Sequence, residues 1–84
     1  MIELKDTAEL MSSNDFRERF VAEYLQTKIR YDRLRKMIVK YEAGTLPFTP
    51  KNSLELFKKQ ASAMGNYLYC LEVRAQNEGI ELGD

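Results

Sequence analysis

Five side chains pose the chemical question. Arg17, Tyr24, Lys28, Tyr31 and Arg35 alternate cations with phenols at spacings of 7, 4, 3 and 4 residues. At 100° per residue they fall within about 60° of one another, so on a helix they form a single stripe. Guanidinium and ammonium groups neutralise phosphates, arginine through two parallel hydrogen bonds. A tyrosine ring offers a base a stacking face, and its hydroxyl can meet a ribose or a phosphate. Gln60, Tyr67, Cys70, Arg74 and Asn77 make a second stripe of mixed polarity. Each stripe also has a plain structural reading. Cations on a long helix are ordinarily a solvated face, Tyr24 and Tyr31 can flank a core, and the second stripe can be the rim of a packed interface. Cys70, between Tyr69 and Leu71, reads as a small buried side chain, and Met37 and Met64 as core fillers.

Catalysis is hard to assemble from these residues. The chain has no histidine, hence no ready general base near neutral pH, and its four glycines form no GxxxxGK phosphate cradle. The single cysteine excludes an intramolecular disulfide, and with no CxxC pair a zinc site is not expected. We therefore expect no enzyme activity, no metal and no cofactor.

Thirteen basic residues balance thirteen acidic ones, but unevenly. Between Phe16 and Tyr41 eight cations face three carboxylates, a local charge of +5 that leaves −5 on the rest. A neutral total argues against coating a nucleic-acid polymer, whereas a concentrated basic strip suits a small anion. "MIELKDTAELM" lacks the apolar run of a signal peptide, and no stretch reaches the roughly 20 apolar residues of a membrane span. These features fit a cytoplasmic protein that does not engage a membrane.

The elements that must position the stripes can be read from punctuation and period. Residues 1–12 form an N-terminal arm with a turn of helix at "TAELM" capped by Asp6 or Thr7. "SSND" supplies capping oxygens for a helix that meets no proline or glycine before Gly44. "AGTLPFTPKN" is a loop, a second helix runs from about Ser53 to about Asn77, and Gly79 suits its C-cap with Ile80 folding back. Residues 81–84 are a loose tail. In the second helix Leu54, Phe57, Ala61, Met64, Leu68, Leu71 and Ala75 alternate spacings of 3 and 4, the seam of a helix lying against another. Phe16, Phe20, Thr27, Leu34, Ile38 and Tyr41 answer from the first. The fold class is all-α: a long antiparallel two-helix hairpin over residues 13–80.

Val21, Leu25 and Ile29 lie on a different side of the first helix, which two helices alone cannot cover. Either the N-terminal arm folds over them or a second subunit does, and a small domain gains most from a homo-oligomer.

"ERF", "EY", "RYDRL", "YEAGTLPFTPK" and "LELFKKQASAMGNYLYCLEVRAQNEGIEL" together resemble a family of short proteins of crAss-like and other tailed phages and prophages. The resemblance covers about residues 15 to 82. It implies an anti-defence nucleotide sponge of the Sequestin type, acting in the cytoplasm of the infected bacterium. Such a protein would hold a cyclic ADP-ribose isomer or a cyclic dinucleotide, the signals of Thoeris and CBASS immunity, without cleaving it. In that picture Arg17, Lys28, Arg30 or Arg35 would neutralise phosphates, and Tyr24, Tyr31 or Phe48 would stack on the base. Gln60, Arg74 or Asn77 of a neighbouring helix would bond ribose or base edges, with Tyr67 at the same contact. A protein-docking inhibitor, whose face is Val21, Leu25 and Ile29, and a structural or assembly accessory of a phage stand as rivals.

Overall fold

In a computed structural model, which describes residues 3–83, every regular element is helical; Met1, Ile2 and Asp84 lie outside the described residues. A 3₁₀ turn, Leu4–Thr7, leads directly into α1, Ala8–Met11, followed by α2, Phe16–Ala43, and α3, Leu54–Glu78. The ends follow local chemistry. Asp15 caps α2 by accepting the amide N–H of Arg17 at 2.9 Å, and Ser53 caps α3 by accepting that of Leu56 at 3.2 Å. Gly44 and Gly79 close the two helices at φ +74° and +67°, where a Cβ would be strained. Beyond Gly79 the amide of Ile80 turns back to the carbonyl of Ala75 at 2.9 Å.

α2 and α3 meet through contacts that run in opposite order along the two helices. Tyr41 meets Phe57 edge-on, Tyr31 lies beside Gly65, Tyr24 bonds Glu72, and Arg17 reaches Gly79. The core does not fill this seam evenly. Phe20, Tyr24, Leu68, Leu71, Ala75 and Ile80 are buried together toward the chain termini. Nearer the loop, Leu34, Ile38, Leu54, Phe57, Ala61 and Met64 are only half-buried. One end is a packed core and the other a thinner, more open contact.

The second apolar side of α2 is served within the chain. The 3₁₀ turn and α1 both pack on α2, Thr7 is 1% exposed, and Val21 and Leu25 are partly buried against the core. Leu10 shares a recess with Val21 and Ile80. Arm coverage, the alternative to a partner subunit, thus accounts for Val21.

Two expectations are corrected. Phe16, placed in the seam, is 48% exposed and meets the Phe20 ring at a centroid distance of 6.0 Å, because the core ends one turn beyond it. Cys70 is exposed, since it points to the side of α3 away from α2. Within the segment assigned as a tail, Leu82 packs partly buried against the core.

Candidate functional site

α2 presents its cations without internal compensation. Among the described residues, Lys28, Arg30, Arg33, Arg35 and Lys36 have no carboxylate within 4.0 Å. Lys28 and Tyr31 are half-buried, while Arg30 and Arg35 are exposed. Where this stripe meets the open half of the α2–α3 contact, a hollow of about 580 Å³ forms, within the size range of small-molecule sites. Its wall on α2 carries Tyr31, Arg35 and Ile38, and its wall on α3 carries Lys58, Ala61 and Ser62. The Arg35 guanidinium lies 5.8 Å from the centre of the Tyr31 ring, so cation and ring present one surface. Lys58 is paired with Glu42 at 2.6 Å. Two cations, one of them paired with the Glu42 carboxylate that also lines the hollow, a phenol, a hydroxyl and an apolar floor can hold a phosphate beside a stacked ring once that pair opens.

Gly65 sets the position of that ring. A Cβ there would stand 3.3 Å from the Tyr31 hydroxyl and 3.5 Å from its ring edge, so the missing side chain lets the phenol lie against α3. Gly65→Ala should therefore separate two effects. Helix propensity favours the variant by about 1 kcal/mol, which offsets the crowding, so the thermal midpoint should hold or rise. The displaced ring should weaken the hold of the hollow on any anion that carries an aromatic ring, read by calorimetry.

A second hollow, about 670 Å³, lies at the other end between Tyr24, Glu72, Gln76, Ile80 and Glu81. Its charged lining is two carboxylates, Glu72 and Glu81, with no cation. Volume alone would favour it; charge decides against it for an anion.

The structure divides the expected site residues. Tyr31 and Arg35 come together in the cationic hollow, and Lys28 stands one turn away on the same stripe. Tyr24 is displaced from the stacking role set for it. It is 2% exposed, and its hydroxyl donates to Glu72 at 2.7 Å, so its ring is core. Arg17 donates to the carbonyl of Gly79 at 3.4 Å. Arg74 lies 4.9 Å above the Phe20 ring and pairs with Glu78 at 3.4 Å. Along α3, Arg74 is about 18 Å from Ser62, so it and Asn77 stand apart from the hollow within one chain. Phe48 is 60% exposed on the loop, and Gln60 and Asn77 are exposed on α3.

Tyr67 donates its hydroxyl to Glu23. That bond, then burial and the Glu23 charge, push its phenol above the ordinary 10.0, against the opposing charge of Arg74. A raised folded-state value means that the bond stabilises fully below pH 10 and is lost as pH rises through the folded value. Absorbance titration should show tyrosine ionising above the ordinary value, and Tyr67→Phe should diminish that late component.

Lys58 and Ser62 escape a reading by stripes, because they lie on the edge of α3 between its seam and its outer face. Their signal is register: with Tyr41 opposite Phe57 and Tyr31 opposite Gly65, Arg35 falls opposite Ser62. No curated protein and no solved structure matches the chain. The model of one family, Sequestin, matches residues 14–77, from the cap of α2 to the last turn of α3 and so across the whole hollow. The chain belongs to the Sequestin family.

Proposed function

We propose that this protein is a phage anti-defence sponge, which binds a nucleotide immune signal in the hollow between α2 and α3 and withholds it uncleaved. Membership of the Sequestin family points to a sequestering, anti-defence role in general. The observation that carries the chemistry is the convergence of Arg35, Lys58, Tyr31 and Ser62 on one recess of about 580 Å³. Arg35 and Lys58 neutralise a phosphate or diphosphate, the second after releasing Glu42. Tyr31 stacks on a base, and Ser62 bonds a ribose or phosphate oxygen. Lys28 and Arg30 extend the positive field along α2 and raise the capture rate. Phe48, Gln60, Tyr67, Arg74 and Asn77 belong to this reading as groups that a neighbouring copy supplies in a homo-oligomer of antiparallel hairpins. The ligand class is a cyclic ADP-ribose isomer or a cyclic dinucleotide, both of which unite phosphates with a stackable base.

Incubation of the purified protein with a panel of both classes, removal of unbound ligand, and heat denaturation tests this. Intact nucleotide in the released fraction is the expected result. Chemically altered nucleotide would make the protein an enzyme. No retention would favour the docking of another protein instead.

A further inference from the structure

The outer side of α3, from the edge beside the hollow round to the face turned away from α2, is unlike a solvated surface. Between Lys59 and Glu72 stand twelve residues with no charge, in a chain that is 31% charged. Ser62, Asn66, Tyr69 and Val73 follow at spacings of 4, 3 and 4, a helix–helix seam, and all four are exposed. Tyr69 is 66% exposed and Val73 40%.

Charge identifies the occupant. Residues 28–59 carry nine cations and three carboxylates, a net +6, which leaves −6 on the remainder of a neutral chain. The opposite order of the α2–α3 contacts gathers the positive residues at the loop end of a molecule 43 Å long and the negative ones at the other. A second copy laid parallel sets like charges side by side, whereas a copy laid head-to-tail sets each half against its opposite. α3 repeats this on its own: residues 51–59 are net +2 and residues 72–81 net −2.

We propose that the outer face of α3 pairs with the same face of a second copy running the other way, and that the partner's Tyr69 closes the cationic hollow. The charge-free run is centred between Gly65 and Asn66. A two-fold axis there sets Ser62 opposite the partner's Tyr69, and Lys59 opposite the partner's Glu72. Ser62 lines the hollow, so the incoming ring arrives on its open side. Tyr31 and the partner's Tyr69 then flank a base from two sides. The role of the ring rests on the proposed nucleotide binding; the pairing does not.

Light scattering of the full chain should give the mass of a dimer. Mild oxidation of Ser62→Cys should yield a covalent dimer through Cys70 of the partner subunit. In Ser62→Cys/Cys70→Ser the two introduced thiols lie about 10 Å apart along the axis and should not join. Tyr69→Leu, which keeps apolar bulk, should stay dimeric and bind at least about 10-fold more weakly, the loss of one stacked ring. Cyclic di-GMP and cyclic ADP-ribose, titrated separately, are the probes. A monomeric wild type, or equal cross-linking by the Cys70→Ser form, overturns the pairing even if nucleotide is retained. Unchanged affinity in Tyr69→Leu overturns the role of the ring. A cross-linking dimer that retains neither probe sinks the nucleotide reading and leaves the pairing standing.

Discussion

Arg35→Glu combined with Lys58→Glu should lower nucleotide affinity by at least about 100-fold and leave the helices in place. A hydrogen bond to a charged group contributes about 1.5–3 kcal/mol, and this variant removes two and replaces attraction with repulsion. A loss of 3 kcal/mol is already about 150-fold by the standard conversion. The cost to the fold should be small. Arg35 gives up only a contact with the Tyr31 ring, and Lys58 a half-exposed pair with Glu42 of the kind that contributes at most about 1 kcal/mol. Calorimetry for binding and circular dichroism for helix content separate the two. A double variant that binds like the wild type would place the phosphates elsewhere. Lys5→Glu, far along the chain on the N-terminal arm, serves as the charge control and should bind normally.

The opposite profile is expected of Leu71→Ala. Leu71 is 1% exposed in the cluster of Phe20, Tyr24, Leu68, Ala75 and Ile80, and its truncation leaves a cavity where two helices and the returning tail meet. Core truncations of this kind cost about 2–5 kcal/mol. Small domains have only about 5–15 kcal/mol in total, and in them each kcal/mol shifts the midpoint by about 4–8 °C. The thermal midpoint should therefore drop by about 10 °C or more. Leu56→Ala, also a leucine on α3 but 51% exposed, should change stability by no more than about 0.5 kcal/mol. Urea denaturation of the two variants checks the claim that the packed core lies at the terminal end. Equal losses would mean that both leucines are buried in an assembly.

The contrast between these positions also shows what could be read from the sequence. Helix ends are local chemistry, so Asp15, Gly44, Ser53 and Gly79 could be placed by residue type, and the structure puts caps at all four. The seam of α3 was legible for a similar reason: Leu68, Leu71 and Ala75 are buried as their 3–4 spacing requires. Helical period fixes direction around an axis, however, and says little about what stands at each height along it. Phe16 points the right way but lies beyond the end of the core. Tyr24 shares a stripe with Lys28 and Arg35, yet at its height α3 offers Glu72 and a packed interior. Tyr31, seven residues on, meets glycine and keeps a face toward the hollow. Lys58 and Ser62 depended on the register between two helices, which the loop and the Tyr41–Phe57 contact fix.

The division of labour between the two ends has a physical logic. In the proposed mechanism the site releases Glu42 from Lys58 to admit a ligand, which half-buried walls favour, while the buried cluster at the other end holds α2 and α3 together. A sponge must also hold its ligand tightly, because it acts by stoichiometry and has no turnover. Lowering a signal below the threshold of its effector needs a dissociation constant near or below about 100 nM, or about −9.5 kcal/mol.

Calorimetric titration of the wild-type protein with the nucleotide it retains therefore tests the central claim most directly. The expected result is saturation at a fixed ratio of ligand to chain, a dissociation constant of about 100 nM or lower, and recovery of the ligand unchanged. A dissociation constant weaker than about 10 μM for every cyclic nucleotide tried would contradict it, because so loose a grip leaves the signal free.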